Sequence, residues 1–269
     1  MKLAVVVGAN GFLGSAIVNE LINKGFKVLA VYNNRFESIN KNAQLITSDE
    51  LLKSNFQPDC VFYVTGNYTN THNELLSINN LLYNYTQRFT DSKFVYVSST
   101  NVYGVHDDII SEKSPFNNPS NYALSKLSGE FIVSATKHYS IVRLTYIYGP
   151  NITNNSFVPQ IIKSAKEAKQ ITIFGTGTRT QDYIYINDAV SFCINAAQTD
   201  SNCILLGATG KSISNKEVAE EIAKNIDCKI VYKDQDLGQS FKFNPEESHR
   251  LLNWSPKVSF AEGIKMMIV

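Results

Sequence analysis

The stretch from Lys2 to Ile22 constrains this chain more than any other. Lys2-Leu3-Ala4-Val5-Val6-Val7 is an apolar run of strand length. It passes directly into Gly8-Ala9-Asn10-Gly11-Phe12-Leu13-Gly14, and Ser15 to Ile22 follows with helical spacing. Strand, glycine turn and helix N-terminus, in that order, make a phosphate-binding element. The first turn of a helix exposes unpaired N–H groups at the positive end of its dipole. The first glycine permits the tight turn, the second lets backbone approach a pyrophosphate, and the third lets helix and strand pack closely. The spacing is G-x-x-G-x-x-G rather than G-x-G-x-x-G. A lone glycine pattern says little, but a strand before it and a helix after it point to a dinucleotide site at Gly8, Asn10, Gly11, Phe12, Leu13 and Gly14.

A chain of 269 residues can bury a substantial core in one large or two modest domains. A net charge of +1 offers no electrostatic case for nucleic acid or an anionic membrane. No run approaches the roughly 20 apolar residues of a membrane span. The first strand starts almost at once, which leaves no room for a signal peptide. Cys60, Cys193, Cys203 and Cys228 form no C-x-x-C pair and lie in or near apolar runs, which suggests buried free thiols. The expected location is the cytoplasm. His106, His138 and His249 have no partners at ligand spacing, so no metal is expected.

Val-rich runs alternate with helical patterns, as in a parallel sheet. Phe26–Val31, Leu45-Ile46, Asp59–Val64 and Lys93–Val97 read as strands two to five. Glu74 to Phe89 has an apolar face at helical spacing, with Asn79 within it. Where NAD-binding folds place a ribose-binding acid, about twenty residues past the glycines, this chain reads Val31-Tyr32-Asn33-Asn34-Arg35. An acid there would repel a 2′-phosphate, whereas Arg35, with Asn33 beside it, offers one a charge-assisted partner. NADP(H) is therefore favoured over NAD(H). Strand four ends in Thr65-Gly66, a further candidate cofactor contact.

Strand five runs into Ser98-Ser99-Thr100-Asn101-Val102-Tyr103-Gly104, and Tyr122-Ala123-Leu124-Ser125-Lys126 follows downstream in a helical pattern. Residues four apart share a helix face. A lysine ammonium beside a tyrosine favours the phenolate and lowers a pKa that is otherwise near ~10. A tyrosine so tuned can exchange a proton with a sugar hydroxyl or ketone. A hydroxyl from Ser99 would hold the same oxygen.

G-A-N-G-F-L-G, V-Y-V-S-S-T-N-V-Y-G, Y-A-L-S-K-L-S-G-E, V-R-L-T-Y-I-Y-G-P and D-Y-I-Y-I-N-D-A occur in this order. Together they resemble the extended short-chain dehydrogenase/reductases, in particular the NAD(P)-dependent nucleotide-sugar epimerase/dehydratase group. The resemblance implies an α/β fold. Its parts would be a doubly wound (Rossmann) parallel sheet over 1–155, with a returning strand near 202–207, and a smaller C-terminal α/β substrate-binding domain over 156–269. It implies Ser99 as catalytic hydroxyl, Tyr122 as acid/base, and Lys126 as its tuner and a ribose contact. Asn79 would support the lysine or be an ordinary helix residue. Dimerisation through the two helices bearing Asn79 and Tyr122 would fit the family.

Departures from the family pattern narrow the reaction. Thr100 and Asn101 stand where the family's 4,6-dehydratases carry an acidic pair, which argues against dehydration. Tyr146 stands where typical epimerases carry an asparagine, which resembles the family's 4-ketoreductases. Gln181 replaces the arginine that commonly meets the substrate's diphosphate. Arg179, two residues earlier and on the same face of an extended segment, would serve instead or be a surface arginine. The leading expectation is reduction of a 4-keto nucleotide sugar with NADPH. The alternatives are a C4 epimerase with tightly bound NAD and a non-catalytic NADP(H) sensor.

Further on, Gln160 to Ala168 reads as a helix, and Ile171–Phe174, Cys203–Gly207 and Lys229–Tyr232 as strands. Asp188 reads as a helix N-cap, and Ser214 with Glu217 as a capping box. Asn253 can adopt left-handed backbone angles, and Trp254 is read as packing.

Overall fold

The computed structural model describes residues 2–66 and 71–268. Its main sheet has seven strands. These are β1 (Leu3–Val7), β2 (Lys27–Tyr32), β3 (Gln44–Thr47), β4 (Cys60–Tyr63), β5 (Lys93–Ser99), β6 (Tyr139–Leu144) and, much later in the chain, β10 (Cys203–Gly207). They lie in the order β10-β6-β5-β4-β1-β2-β3, and every pairing is parallel. Parallel strands need helical crossovers that cover both faces, so their residues are apolar without alternation. Ala4 and Val6 of β1 face a core shared with helices α1 (Phe12–Asn23) and α6 (Ile186–Ala197). Val5 and Val7 face the opposite core, with Leu82 and Tyr85 of α3 (His72–Arg88) and Val133 of α4 (Asn121–Ser134). This is the doubly wound arrangement. Its ligand crevice lies at the carboxyl ends of β1 and β4, where the strand order reverses.

The remaining strands build two small sheets. β7 (Tyr146–Tyr148) pairs parallel with β9 (Thr180–Tyr185), whose other edge takes β11 (Ser212–Ser214) antiparallel. β8 (Gln170–Phe174) pairs with β12 (Lys229–Lys233). Helices α5 (Phe157–Ala168), α7 (Asn215–Ala223), α8 (Glu246–Leu252) and α9 (Phe260–Ile268) complete this part. The two parts share one continuous core, since Ile161, Ile173, Ile184 and Val218 belong to the same buried cluster as Val6. The chain crosses between them more than once: β7 lies in the smaller part, while α6 and β10 return to the main sheet.

Several local readings change. Helix α5 starts at Phe157, not at Gln160. Pro159 sits in its first turn, where a missing N–H costs no intrahelical bond. Asp188 is not the cap of α6, whose N-cap is Tyr185. It lies buried in the first turn and accepts the N–H groups of Lys257 (3.1 Å) and Val258 (3.0 Å), which anchors the carboxyl-terminal segment. A short helix, α2 (Ser48–Lys53), follows β3 through a capping box between Thr47 and Glu50 that the reading did not anticipate. The Ser214–Glu217 capping box forms. Asn253 closes α8 at φ +44°, and the Trp254 ring stacks edge-on against Phe192 at 4.9 Å. Cys60 and Cys193 are buried thiols, whereas Cys203 and Cys228 are half-buried.

Candidate active site

The glycine turn has the geometry its sequence demands. Gly8 adopts φ +87°, a conformation that side chains rarely tolerate. Gly11 caps α1 and donates its N–H to the Gly8 carbonyl at 3.1 Å. At Gly14 a Cβ would lie 2.0 Å from the Gly8 oxygen, so this glycine acts by letting the helix close on the turn. The Leu13 side chain is buried in the core, so any contact with a cofactor there is through its backbone. Asn10 and Phe12 are half-buried at the turn. Gly8 abuts Thr65 of the neighbouring strand end, whose Oγ1 would lie 3.1 Å from a Cβ at Gly8. Asn33 and Arg35 are exposed just beyond β2.

Tyr122 and Lys126 occupy the first turns of α4, which Ser120 caps by accepting the Ala123 N–H at 3.3 Å. The Lys126 side chain is buried, and its Nζ donates to the carbonyls of Thr65 (3.1 Å) and Val97 (3.0 Å). Those two bonds tie α4 to the ends of β4 and β5. Burial brings the Lys126 pKa down to about 8, with the nearby Glu130 carboxylate opposing that fall. Thr65, Gly66, Ile78, Tyr96, Tyr122 and Lys126 line one small cavity. A Cβ on Gly66 would lie 3.5 Å from Lys126 Nζ and 4.0 Å from the Tyr122 hydroxyl. Gly66 thus lies against both catalytic candidates in the wall of that cavity. The cavity, the turn and the exposed β2 end suit a pyridine dinucleotide.

Ser99 ends β5, two residues past the Val97 carbonyl that holds Lys126. Its Oγ accepts the Asn101 N–H at 3.2 Å and caps the 3-10 turn Thr100–Tyr103. An oxygen that accepts one bond still has its own proton to donate. Thr100 is buried and Asn101 half-buried. Asn79 does not reach the lysine side chain. Its Nδ2 donates to the Ser125 carbonyl at 3.1 Å, so it braces the backbone of α4 one residue before Lys126.

A buried charge network that the sequence reading missed lies beneath these groups. Arg143 of β6 grips Glu130 of α4 through two bonds, Nε to Oε1 at 3.0 Å and Nη2 to Oε2 at 2.7 Å. Ser98 donates to the same Oε1 at 2.5 Å. The guanidinium also lies 4.9 Å from the Tyr103 ring centre and 5.1 Å from that of Phe116. The available signal was spacing: Glu130 is one helical turn past Lys126, in Y-A-L-S-K-L-S-G-E.

A second pocket opens among Tyr146, Tyr148, Ser156, Arg179, Gln181 and Asn215. Tyr146 and Arg179 therefore do line one site. Arg179 is not a lone cation there, however, because its Nε donates to Asp236 Oδ2 at 2.9 Å. Gln181 is spent on the 236–241 segment, donating to the Gln239 carbonyl at 3.0 Å. Among the described residues no cluster of three or more His, Cys, Asp or Glu is arranged to hold a metal, and no helix is long and apolar enough to cross a membrane.

A doubly wound sheet with a glycine turn at its switch point, and a Tyr–Lys pair over that crevice, defines a dinucleotide-dependent enzyme. The comparisons place it further. The description of the NAD dependent epimerase/dehydratase family matches residues 4–204. The chain belongs to that family, within the extended short-chain dehydrogenases/reductases. It is 25% identical to a putative UDP-glucose 4-epimerase of Methanocaldococcus jannaschii, over 99% of this chain and 97% of the relative. It is 26% identical to a UDP-glucuronate 4-epimerase of Thermodesulfobacterium geofontis, over 100% and 95%. It shares the fold of MoeE5, solved with UDP-glucose and NAD, at a TM-score of 0.87 and 22% identity, covering 100% of this chain and 97% of that one.

Proposed function

We propose that this enzyme reduces the 4-keto group of a nucleotide-activated sugar at the expense of NADPH. When bound, the nicotinamide supplies the hydride. Residues of the glycine turn, Thr65, Gly66 and Lys126 would hold the dinucleotide, with Asn33 and Arg35 at its 2′-phosphate. Tyr122 carries the proton on its hydroxyl and delivers it to the sugar oxygen. Lys126 remains beside it, fixed by two carbonyls, and its charge stabilises the phenolate left behind. Ser99 donates a hydrogen bond to the same sugar oxygen. Tyr146 and Arg179 meet the nucleotide end in the second pocket.

The observation that carries the chemistry is the buried Lys126, pinned by two carbonyls and sharing one small cavity with Tyr122 and Gly66. The direction of the reaction rests on a β2 end that offers Asn33 and Arg35 and no acid, and on Tyr146 in the pocket wall. A second reading, C4 epimerisation with retained NAD, is favoured by the names of the two full-length relatives. Nucleotide content of the purified protein by HPLC, followed by NADPH oxidation with 4-keto nucleotide sugars, separates the two. Cofactor-free protein that oxidises NADPH in step with substrate supports the reductase. Protein that arrives with NAD and interconverts epimers without net redox change sinks it. Tyr122→Phe removes the proton carrier, and turnover should fall about 10²–10⁴-fold. Unchanged turnover would return the Tyr–Lys pair to a structural role, whereas a wild type without turnover whose Tyr122→Phe variant keeps full biological activity would favour the sensor reading.

The proposal extends to a homodimer. Leu76 and Tyr83 of α3, seven residues apart, are exposed, as are Leu124 and Phe131 of α4 at the same spacing. This double stripe on adjacent helices suits a symmetric four-helix contact. Phe131→Glu should convert a dimer to a monomer in light scattering, and a wild type that is already monomeric would refute the contact.

A further inference from the structure

The second pocket is nearly electroneutral, although it is where the nucleotide end of the substrate is expected. Arg179 is the one charged side chain lining it among the described residues. The Asp236 carboxylate answers that charge at 2.9 Å and is itself fixed, because its other oxygen accepts the Gly238 N–H at 2.9 Å. Both partners are mostly buried, with side-chain exposures of 29% and 17%. The segment carrying Asp236 is fastened along β9. Thr180 donates its N–H to Ser240 Oγ at 3.1 Å, Gln181 donates to the Gln239 carbonyl at 3.0 Å, and Phe241 donates its N–H to the Thr180 carbonyl at 3.0 Å. Asp236 is therefore a fixed partner behind the arginine of the pocket wall.

The same segment aims the arginine. Gly238 lies flat against the guanidinium, and a Cβ there would fall 2.3 Å from Nη1. Asn215, buried beside the pair, accepts from Nη2 at 3.2 Å when its amide oxygen is turned toward the arginine. A guanidinium has five N–H donors, so donors on Arg179 remain for a ligand oxygen. The pocket thus presents directed hydrogen bonds with almost no net positive charge.

We infer that Asp236 is a specificity-determining residue that offsets the charge of Arg179, so that this pocket gains little from the second phosphate of a nucleoside diphosphate. The inference rests on the nucleotide-sugar reading and sharpens it. Recognition of the nucleotide end falls to the aromatic and neutral walls, Tyr146, Tyr148, Gln181 and Asn215, and to the geometry of one guanidinium. A phosphate oxygen that reaches Arg179 also meets a fixed carboxylate behind it. At that range two like charges in a partly buried site repel appreciably.

The test is calorimetric binding of UDP and UMP, with the dTDP and dTMP pair alongside, to the full-length wild type and three variants. In the wild type the diphosphate should bind no more than about tenfold more tightly than the monophosphate. Asp236→Asn, which keeps the size and loses the charge, should tighten diphosphate binding about tenfold, equivalent to about 1.4 kcal/mol, and leave the monophosphate within about twofold. Gly238→Ala should act oppositely, because the added methyl displaces the guanidinium. Arg179→Gln should erase the remaining difference between di- and monophosphate. A wild-type preference for the diphosphate above about tenfold, or weaker diphosphate binding by Asp236→Asn, overturns the inference while leaving the nucleotide-sugar reading intact. Failure of all four nucleotides to bind removes that reading and the inference with it.

Discussion

Two arginine–carboxylate pairs divide the labour in this enzyme. Arg143 and Glu130 join β6 to α4 at side-chain exposures of 4% and 7%, held by two bonds and further satisfied by Ser98 and two aromatic rings. Arg179 lines the second pocket and Asp236 pairs with it from behind, with one bond of 2.9 Å and partial access to water. The difference is one of consequence. A buried pair is held by everything around it, and removing one member strands the other without solvation. A pair at a pocket wall keeps some water, so changing it alters what binds more than whether the chain folds.

That contrast can be broken in order of size. Arg143→Met should lower the unfolding free energy by about 3–5 kcal/mol, read by urea denaturation, because Glu130 is left charged and buried. A loss below about 1 kcal/mol would mean that water reaches Glu130 and that the pair is no anchor. Lys126 gives the next effect. Its pKa is about 8 in the fold against 10.5 in the open chain. Between those values the unfolded state binds more protons, so stability rises with pH there and is lost as pH falls through 8. Relative to Lys126→Met, the wild type should gain up to roughly 3 kcal/mol from pH 8 to 10.5. A flat difference would show that the ammonium is better solvated than its burial implies. Asp236→Asn should cost least, about 1 kcal/mol or less, by the same denaturation. A cost equal to that of Arg143→Met would erase the distinction between the two pairs.

Much of the fold was legible because its signals are local. Apolar runs marked β1, β2, β4 and β5, the glycine turn announced itself, and Ser214 with Glu217 declared the start of α7. Tyr122 and Lys126 were legible for the same reason: four residues on one helix specify a shared face. What stayed hidden depends on residues far apart in the chain. Asp236 meets Arg179 across 57 positions, and nothing in the run D-Q-D-L-G-Q tells which cation it will find. Asp188 resembled a cap because capping acids and buried anchors occupy the same first turn, and only the placement of Lys257 and Val258 separates them. The expected start of α5 at Gln160 came three residues late, because a proline such as Pro159 is compatible with a helix when it falls in the first turn.

Strand β10 has a consequence for how the protein is made. It pairs along β6 at the margin of the main sheet, register Cys203↔Ser140 to Gly207↔Leu144, yet it leaves the ribosome only after β7, α5, β8, β9 and α6. Domains tend to assemble from their amino-terminal end during translation. Six of the seven strands are therefore ready while the outer rim of β6 still offers unpaired N–H and C=O groups, the kind of rim to which another nascent chain can add. Polysomes crowded with this message hold many such rims at once. A slow codon cluster read before β10 has left the exit tunnel would lengthen that vulnerable interval, and one read after the strand has emerged would not.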